Sequence, residues 1–152
     1  MLKINIIFIL FASIFFTLVS KTSYSQTSGV FKCTKLGNVN FRNGPGLKFA
    51  VIYKVFKRGY PLKVVDTIDT WVAVEDFKGD KIWVSSSNLT SKCGKIVSVE
   101  KAEVFLKPDL SSSVLLTLEE GFVLQDITCH YRWCEVKVEG KRGWVLREKL
   151  WG

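Results

Sequence analysis

The stretch WVAVEDFKGDKIWV, residues 71–84, recurs further along the chain as WCEVKVEGKRGWV, residues 133–145. Trp71 and Trp133 lie 62 residues apart and Trp83 and Trp144 lie 61 apart, so a one-residue difference in a turn accounts for the drift. Such internal similarity indicates a duplicated structural unit and outweighs local propensity. In both copies, runs of alternating apolar and polar residues flank a glycine-containing turn, which is the pattern of a β-hairpin.

Further strand-like runs lie on the N-terminal side of this hairpin. In the first copy they occupy residues 39–42, 51–56 and 62–65, and the turn residues 43–46 separate the first two. Similar runs precede the second hairpin, and no window after the N-terminal segment has helical spacing. A unit of about 60 residues buries a small core, and closing five strands into a barrel removes most exposed strand edges. The sequence therefore predicts an all-β protein with two tandem five-stranded barrels.

The N-terminal segment has the pattern of a signal peptide. Lys3 precedes an apolar run over residues 4–19, and Ser23 and Ser25 place small residues before a cut after Ser25. An uncleaved membrane anchor is the alternative, but a spanning helix needs about 20 apolar residues. We therefore predict a signal peptide at 1–25, a first domain at 30–92 and a second at 93–152. The mature protein is expected in the periplasm or secreted, with the membrane involved only through the uncleaved signal peptide.

Four cysteines remain after the signal peptide, and an exported chain meets an oxidising compartment. Four cysteines allow three pairings. Cys129 and Cys134 flank a predicted four-residue hairpin connection, which brings them within cross-strand reach. Cys33 and Cys93 bracket the first copy, and the ends of a small closed barrel lie side by side. We predict the pairs Cys33–Cys93 and Cys129–Cys134, with free thiols as the alternative.

Two motifs connect these copies to a known family. The segment NFRNGPG, residues 40–46, resembles the N-x-R-x-G-P-G opening of bacterial SH3 domains, and the spacing on to Gly59 and Trp83 also matches. The second copy resembles the "C…WC.V…GWV…LWG" ending of tandem bacterial SH3 proteins. The similarity covers residues 31–152 and implies two SH3-like barrels. It implies little about function, because small barrels support many activities.

The sequence departs from the family pattern at two places. Ile82 stands where the family usually has a glycine before Trp-Val, and the second copy has LKPD at residues 106–109 in place of the Arg-x-Gly-Pro-Gly turn. A binding loop shared by both copies is therefore not expected, and the first copy is the better place for a ligand site.

No catalytic or metal-binding pattern is present. His130, the single histidine, lies between two cysteines that are predicted to be paired, so no nucleophile remains beside it. The cysteine and histidine spacing lacks a second pair of zinc ligands. The turn at 43–46 precedes a strand and not a helix, unlike a phosphate-binding loop. We predict a protein that is not an enzyme and has no cofactor and no metal.

Four tryptophans occupy equivalent positions in the two copies, namely Trp71, Trp83, Trp133 and Trp144. This equivalence predicts that they pack in the barrel cores, where large aromatic side chains contribute strongly. The alternative is an exposed platform on which sugars stack.

Charge is distributed unevenly between the copies. Residues 30–92 carry 11 basic and 5 acidic side chains, whereas residues 93–152 carry 9 of each. A basic surface attracts anionic polymers, although an ordinary solvated face is the simpler reading.

We predict attachment to cell-wall peptidoglycan or another anionic envelope component, with no nucleic acid as partner. The alternative is a periplasmic protein–protein scaffold or accessory subunit without a polymer ligand, with an envelope protein as its partner. The candidate ligand-binding residues are Arg42, Asn43, Lys48, Phe49, Lys57 and Arg58.

Overall fold

A computed structural model describes residues 29–152, so the predicted signal peptide lies outside the described residues. This part of the chain consists of antiparallel β-strands and two single-turn 3-10 helices. It contains no helix long and apolar enough to cross a membrane. The prediction of an all-β protein is confirmed.

The strands of the first copy form one sheet in the order β3-β2-β6-β5-β4-β1-β7. A 3-10 turn, Ser86–Asn88, connects its last two strands. The strands are β1 (Phe31–Thr34), β2 (Val39–Arg42), β3 (Val51–Val55), β4 (Pro61–Ile68), β5 (Trp71–Glu75), β6 (Lys81–Ser85) and β7 (Leu89–Thr90).

The second copy contains a five-stranded sheet, β10-β9-β14-β13-β12, and a three-stranded sheet, β11-β8-β15. Its 3-10 turn is Arg147–Lys149. The strands are β8 (Lys95–Val97), β9 (Lys101–Phe105), β10 (Val114–Glu119), β11 (Val123–Leu124), β12 (Thr128–His130), β13 (Trp133–Val138), β14 (Lys141–Leu146) and β15 (Leu150–Trp151).

Short strands at the two ends of each copy join the five that the sequence predicts. In the first copy β1 pairs with β7, so Cys33 lies opposite Thr90. In the second copy β8 pairs with β15, so Val97 lies opposite Leu150. These pairs bring the beginning and end of each copy together. The sequence did not predict these short strands, because strands of two to four residues show too little alternation of apolar and polar residues to be recognised.

Each copy has its own cluster of buried aliphatic side chains. The alternation predicted for β2 is present, since Val39 and Phe41 are fully buried while Asn40 and Arg42 are only partly buried. In the second copy Val104, Val136 and Val145 occupy the corresponding interior. Inward side chains alternate with outward ones along these strands, as the pleat requires.

The prediction that the four tryptophans form the cores is wrong. All four are only partly buried. Trp71 and Trp83 lie outside the core cluster of the first copy, and Trp133 and Trp144 lie outside that of the second. In β5 the inward positions belong to Val72 and Val74. Because successive side chains of a strand point to opposite faces, Trp71 must face outward. Equivalence in the repeat therefore indicated a shared position but not which face it occupies.

Both predicted disulfides are present, and the described residues contain no free cysteine. The first-barrel disulfide, Cys33–Cys93, joins β1 to the segment that leads into the second copy. The hairpin disulfide, Cys129–Cys134, joins residues directly opposite each other on β12 and β13. The hairpin connection has two residues and not the predicted four, because His130 and Trp133 also pair.

The two copies pack directly against each other. Ile96, which belongs to β8 of the second copy, is fully buried within the core cluster of the first. The ring of Trp151 meets that of Phe31 edge to face, with centroids 4.9 Å apart. The main-chain N–H of Gly94 donates to the carbonyl of Gly59 at 3.0 Å. Apolar packing and a main-chain hydrogen bond therefore both hold the junction.

Candidate functional site

The loop between β2 and β3, residues 43–50, is held by Arg42. The guanidinium Nη1 of Arg42 donates to the carbonyl oxygen of Phe49 at 2.6 Å and to that of Leu47 at 3.2 Å. The Phe49 ring lies directly over Gly44, where any Cβ would collide with it. The arginine and the first glycine of the NFRNGPG motif thus shape the loop. Such a shaped loop keeps one wall of the neighbouring groove in place.

A groove of about 300 Å³, which we call the first-barrel groove, lies beside this loop. It forms on the outer face of the sheet, where β2, β6 and β5 are neighbours and their outward side chains stand in adjacent rows. The residues that line it are Asn40, Arg42, Leu47, Thr70, Trp71, Ser85 and Asn88.

The first-barrel groove combines an aromatic surface with polar groups. Trp71 is partly exposed there, and Leu47 stands at the rim with 80% of its surface accessible. The Oδ1 atom of Asn40 is buried but has no hydrogen-bond partner. Buried polar atoms in proteins are nearly always satisfied, so a ligand that brings a donor suits this acceptor if the Asn40 side chain turns toward the groove on binding. Sugars and peptides both offer such donors together with surfaces that pack on an indole.

The equivalent place in the second copy has an aromatic side chain where the first copy has an arginine. Arg42 lies opposite Trp83 in the first copy, and Phe105 lies opposite Trp144 in the second, so Phe105 takes the position of Arg42. The Phe105 ring packs edge to face against Trp133 at 5.5 Å. The indole that corresponds to Trp71 therefore packs against an aromatic ring of its own copy, although both tryptophans are only partly buried, and this contact distinguishes the two copies.

The six residues predicted as a ligand site separate into two groups. Arg42 ends β2, and Asn43, Lys48 and Phe49 belong to the β2–β3 loop, where the Lys48 ammonium lies 5.4 Å from the centroid of the Phe49 ring. Lys57 and Arg58 follow β3 and lie at its other end, about 17 Å away along five residues of strand.

Among those six residues, Arg42 alone lines the first-barrel groove. The prediction missed Asn40 and Trp71, which stand on separate strands. Their juxtaposition depends on sheet order. Equivalence of Trp71 with Trp133 had pointed to the core instead.

A buried polar cluster fixes the turn between β5 and β6 in the first copy. Asp76, which is 5% exposed, accepts the Tyr53 hydroxyl at 3.0 Å and the main-chain N–H groups of Lys78 and Asp80 at 2.9 and 3.0 Å. Burial, followed by the charge of Asp76, raises the pKa of Tyr53 above its ordinary value, and the same causes act on Tyr60. The cluster keeps both tyrosines neutral and holds the turn.

The single histidine lies beside a cysteine that is not a free thiol. His130 is exposed at the end of β12, opposite Trp133. Its neighbouring cysteine belongs to the hairpin disulfide. Within residues 29–152 no group of three His, Cys, Asp or Glu side chains is arranged to hold a metal ion.

Two segments of the chain, residues 35–91 and 98–152, match the family model described as the bacterial SH3 domain. The chain belongs to this family. Bacterial SH3 domains are commonly modules that bind the cell wall, and this family membership together with two disulfides points to an extracytoplasmic protein. No curated protein sequence matches the chain.

Two solved structures of NlpC proteins from Trichomonas vaginalis are similar to this SH3 tandem. NlpC1 is 15% identical with a TM-score of 0.37, over 86% of this chain and 48% of its own. NlpC2 is 17% identical with a TM-score of 0.36, over 84% of this chain and 49% of its own. The chain thus spans about half the length of these structures.

Proposed function

We propose that this protein is a non-catalytic binding module of the cell envelope and that it attaches to peptidoglycan through the first-barrel groove. The observation that carries the proposal is the partly exposed face of Trp71 beside the unpartnered Oδ1 of Asn40. Peptidoglycan offers sugar rings, acetamido groups and peptide N–H groups, which match an indole face and an acceptor that the Asn40 side chain presents when it turns toward the groove. The membership of both copies in the bacterial SH3 family supports a cell-wall ligand.

The energetics of the groove favour a ligand with an N–H or O–H group. A buried acceptor without a partner costs about 1–3 kcal/mol, and a donor from the ligand removes that cost. An aromatic contact with Trp71 adds about 0.5–1.5 kcal/mol beyond the area it buries. Ser85 and Asn88 supply further polar groups at the same groove, so several weak contacts act together.

The charge of the first copy supports the same location. Its 11 basic and 5 acidic side chains give an attractive field for a polymer that carries carboxylates. Screening acts over about 8 Å at physiological ionic strength, so part of the binding should weaken as salt is added. The contacts of Trp71 and Asn40 are less sensitive to salt, and the groove should retain some affinity when the field is screened.

The test is co-sedimentation of the mature protein with purified insoluble peptidoglycan. Trp71→Ala should weaken binding about tenfold, since an aromatic contact of about 1.4 kcal/mol corresponds to that factor. Trp133→Ala is the matched control, because the equivalent indole packs against Phe105 in the second copy and does not line the first-barrel groove. Thermal unfolding of both variants would show that each is folded, so that any weaker binding is not due to an unfolded protein.

Two results would contradict the proposal. Equal binding by wild type and Trp71→Ala would exclude the first-barrel groove as the attachment site. Absence of any sedimentation with peptidoglycan would exclude the polymer as the ligand.

A protein–protein scaffold is the second candidate, and one observation favours it. An apolar groove of about 300 Å³ lies beside β1, β4, β5 and β7 of the first copy, lined mainly by Val30, Val64, Val72 and Leu89. An apolar side chain of an envelope protein would fit such a surface. Cross-linking from a Val30→Cys variant that traps an envelope protein, in the absence of peptidoglycan binding, would support this candidate instead.

A further inference from the structure

We propose that the groove between the two copies, here the interbarrel groove, binds an oxyanion, a phosphate or carboxylate group carried by an acidic envelope polymer. The groove has a volume of about 340 Å³ and is distinct from the first-barrel groove. It is formed by the ends of β1 and β3, the connection between the copies and the loop after β11. Its lining residues include Lys35, Arg58, Lys92, Cys93, Gln125 and Asp126.

Three cationic side chains from three separate segments meet at this groove. Lys35, Arg58 and Lys92 are all exposed, and the single carboxylate among the lining residues is that of Asp126. None of the three cationic groups donates a hydrogen bond or forms an ion pair within residues 29–152; the ion pair found there, Arg142–Glu135, lies elsewhere. Three uncommitted cationic side chains around one groove favour an anion within it.

The main chain that carries these cations is already fixed. The first-barrel disulfide lies in the wall of the groove, since Cys93 is one of its lining residues. The side-chain amide of Gln125 donates to the carbonyl of Arg58 at 3.0 Å, so the second copy holds the segment that carries the arginine. Gly94 donates to Gly59 across the same junction. A ligand therefore orders side chains but not backbone, which lowers the entropic cost of binding.

A main-chain hydrogen bond joins a lining residue of one groove to a lining residue of the other. The main-chain N–H of Lys35, at the interbarrel groove, donates at 2.8 Å to the carbonyl of Asn88, which lines the first-barrel groove. A polymer whose uncharged part packs on Trp71 can therefore place an acidic group between the copies. This continuity rests on the proposed function, whereas the oxyanion site itself depends only on the three cations and the fixed junction.

The experiment is an NMR titration of the mature protein with sodium phosphate and, separately, sodium acetate, against sodium chloride at equal ionic strength. We expect saturable shifts in the amide signals of Gly59, Lys92, Gly94 and Gln125. Arg58→Gln combined with Lys92→Gln should weaken anion binding at least about fivefold, because each cation contributes attraction even in water. Asp126→Asn should strengthen it, because that change removes the single opposing charge.

The matched control is Lys81→Gln combined with Lys141→Gln, which removes two exposed positive charges away from the groove. Saturable shifts that the control leaves unchanged support the inference. Tighter binding of phosphate would identify a phosphate-bearing polymer, and tighter binding of acetate a carboxylate-bearing one; both results support an oxyanion site. Shifts that do not saturate, or an equal loss in the control, would overturn it.

The same titration separates this inference from the proposed function. Trp71→Ala should retain phosphate or acetate binding, because Trp71 does not line the interbarrel groove. If the wild-type protein bound peptidoglycan but neither phosphate nor acetate, the oxyanion site alone would be overturned.

Discussion

Gly94→Ala is expected to destabilise the protein by about 2–4 kcal/mol, although Gly94 does not have a positive φ. A Cβ at this position would collide with the carbonyl oxygen of Leu124 and come within 2.9 Å of the carbonyl oxygen of Gly59. Both are main-chain atoms, so neither can rotate away. Forced overpacking costs about 1–3 kcal/mol, and loss of the Gly94–Gly59 hydrogen bond adds about 1 kcal/mol.

Gly140→Ala is the control for this prediction. Gly140 has a φ of 78° and nothing within 4 Å of a built Cβ, so its replacement introduces backbone strain of about 1–2 kcal/mol without a clash. Urea unfolding of both variants measures the two losses, with the slope m showing whether unfolding stays cooperative. A loss for Gly94→Ala no larger than that for Gly140→Ala would mean that the copies are not packed as closely as the structure shows.

Replacing the cysteines of the first-barrel disulfide by serine should lower the free energy of unfolding by roughly 4 kcal/mol, and replacing those of the hairpin disulfide by about 2 kcal/mol, since the chain-entropy effect grows with loop length. Urea unfolding measures both losses, and a larger loss for the hairpin variant would contradict this ranking. Because the pKa of Tyr53 is raised on folding, its contribution to stability is complete below pH 10 and is lost as the pH rises above that value. Tyr53→Phe should therefore show a weaker fall in stability as the pH rises from about 10 to 11, and an unchanged fall would exclude this coupling.

Most of the fold could be predicted from the sequence because its signals are local or repeated. Alternation in residues 39–42 and the glycine turn of the 71–84 hairpin depend on neighbours in the chain. The pairing of Cys33 with Cys93 followed from the fact that these two cysteines bracket the first copy, whose ends lie side by side in a closed barrel. The interior of each barrel was harder to predict, because the outward position of Trp71 depends on which face of β5 the small aliphatic residues take.

The candidate sites could be predicted only in part, because each is assembled from strands distant in the chain. Arg42 was found through the NFRNGPG motif, but its groove partners Asn40 and Trp71 meet through the sheet order. Lys57 and Arg58 were grouped with Lys48 because they are close in sequence, yet β3 separates them. Lys35 and Lys92 share a groove with Arg58 through the junction between the copies, which no sequence spacing reveals.

The burial of Ile96 in the core of the first copy has a consequence for how this tandem can vary. The second family match begins at residue 98, after Ile96, so the boundary that sequence similarity draws does not coincide with the boundary between the cores. A recombination event that exchanges the second repeat at residue 98 keeps Ile96 in the first barrel but replaces Trp151, which packs against the same core. One that exchanges it at residue 93 removes a side chain from the first barrel's interior. The two repeats arose as copies, but they are no longer interchangeable cassettes.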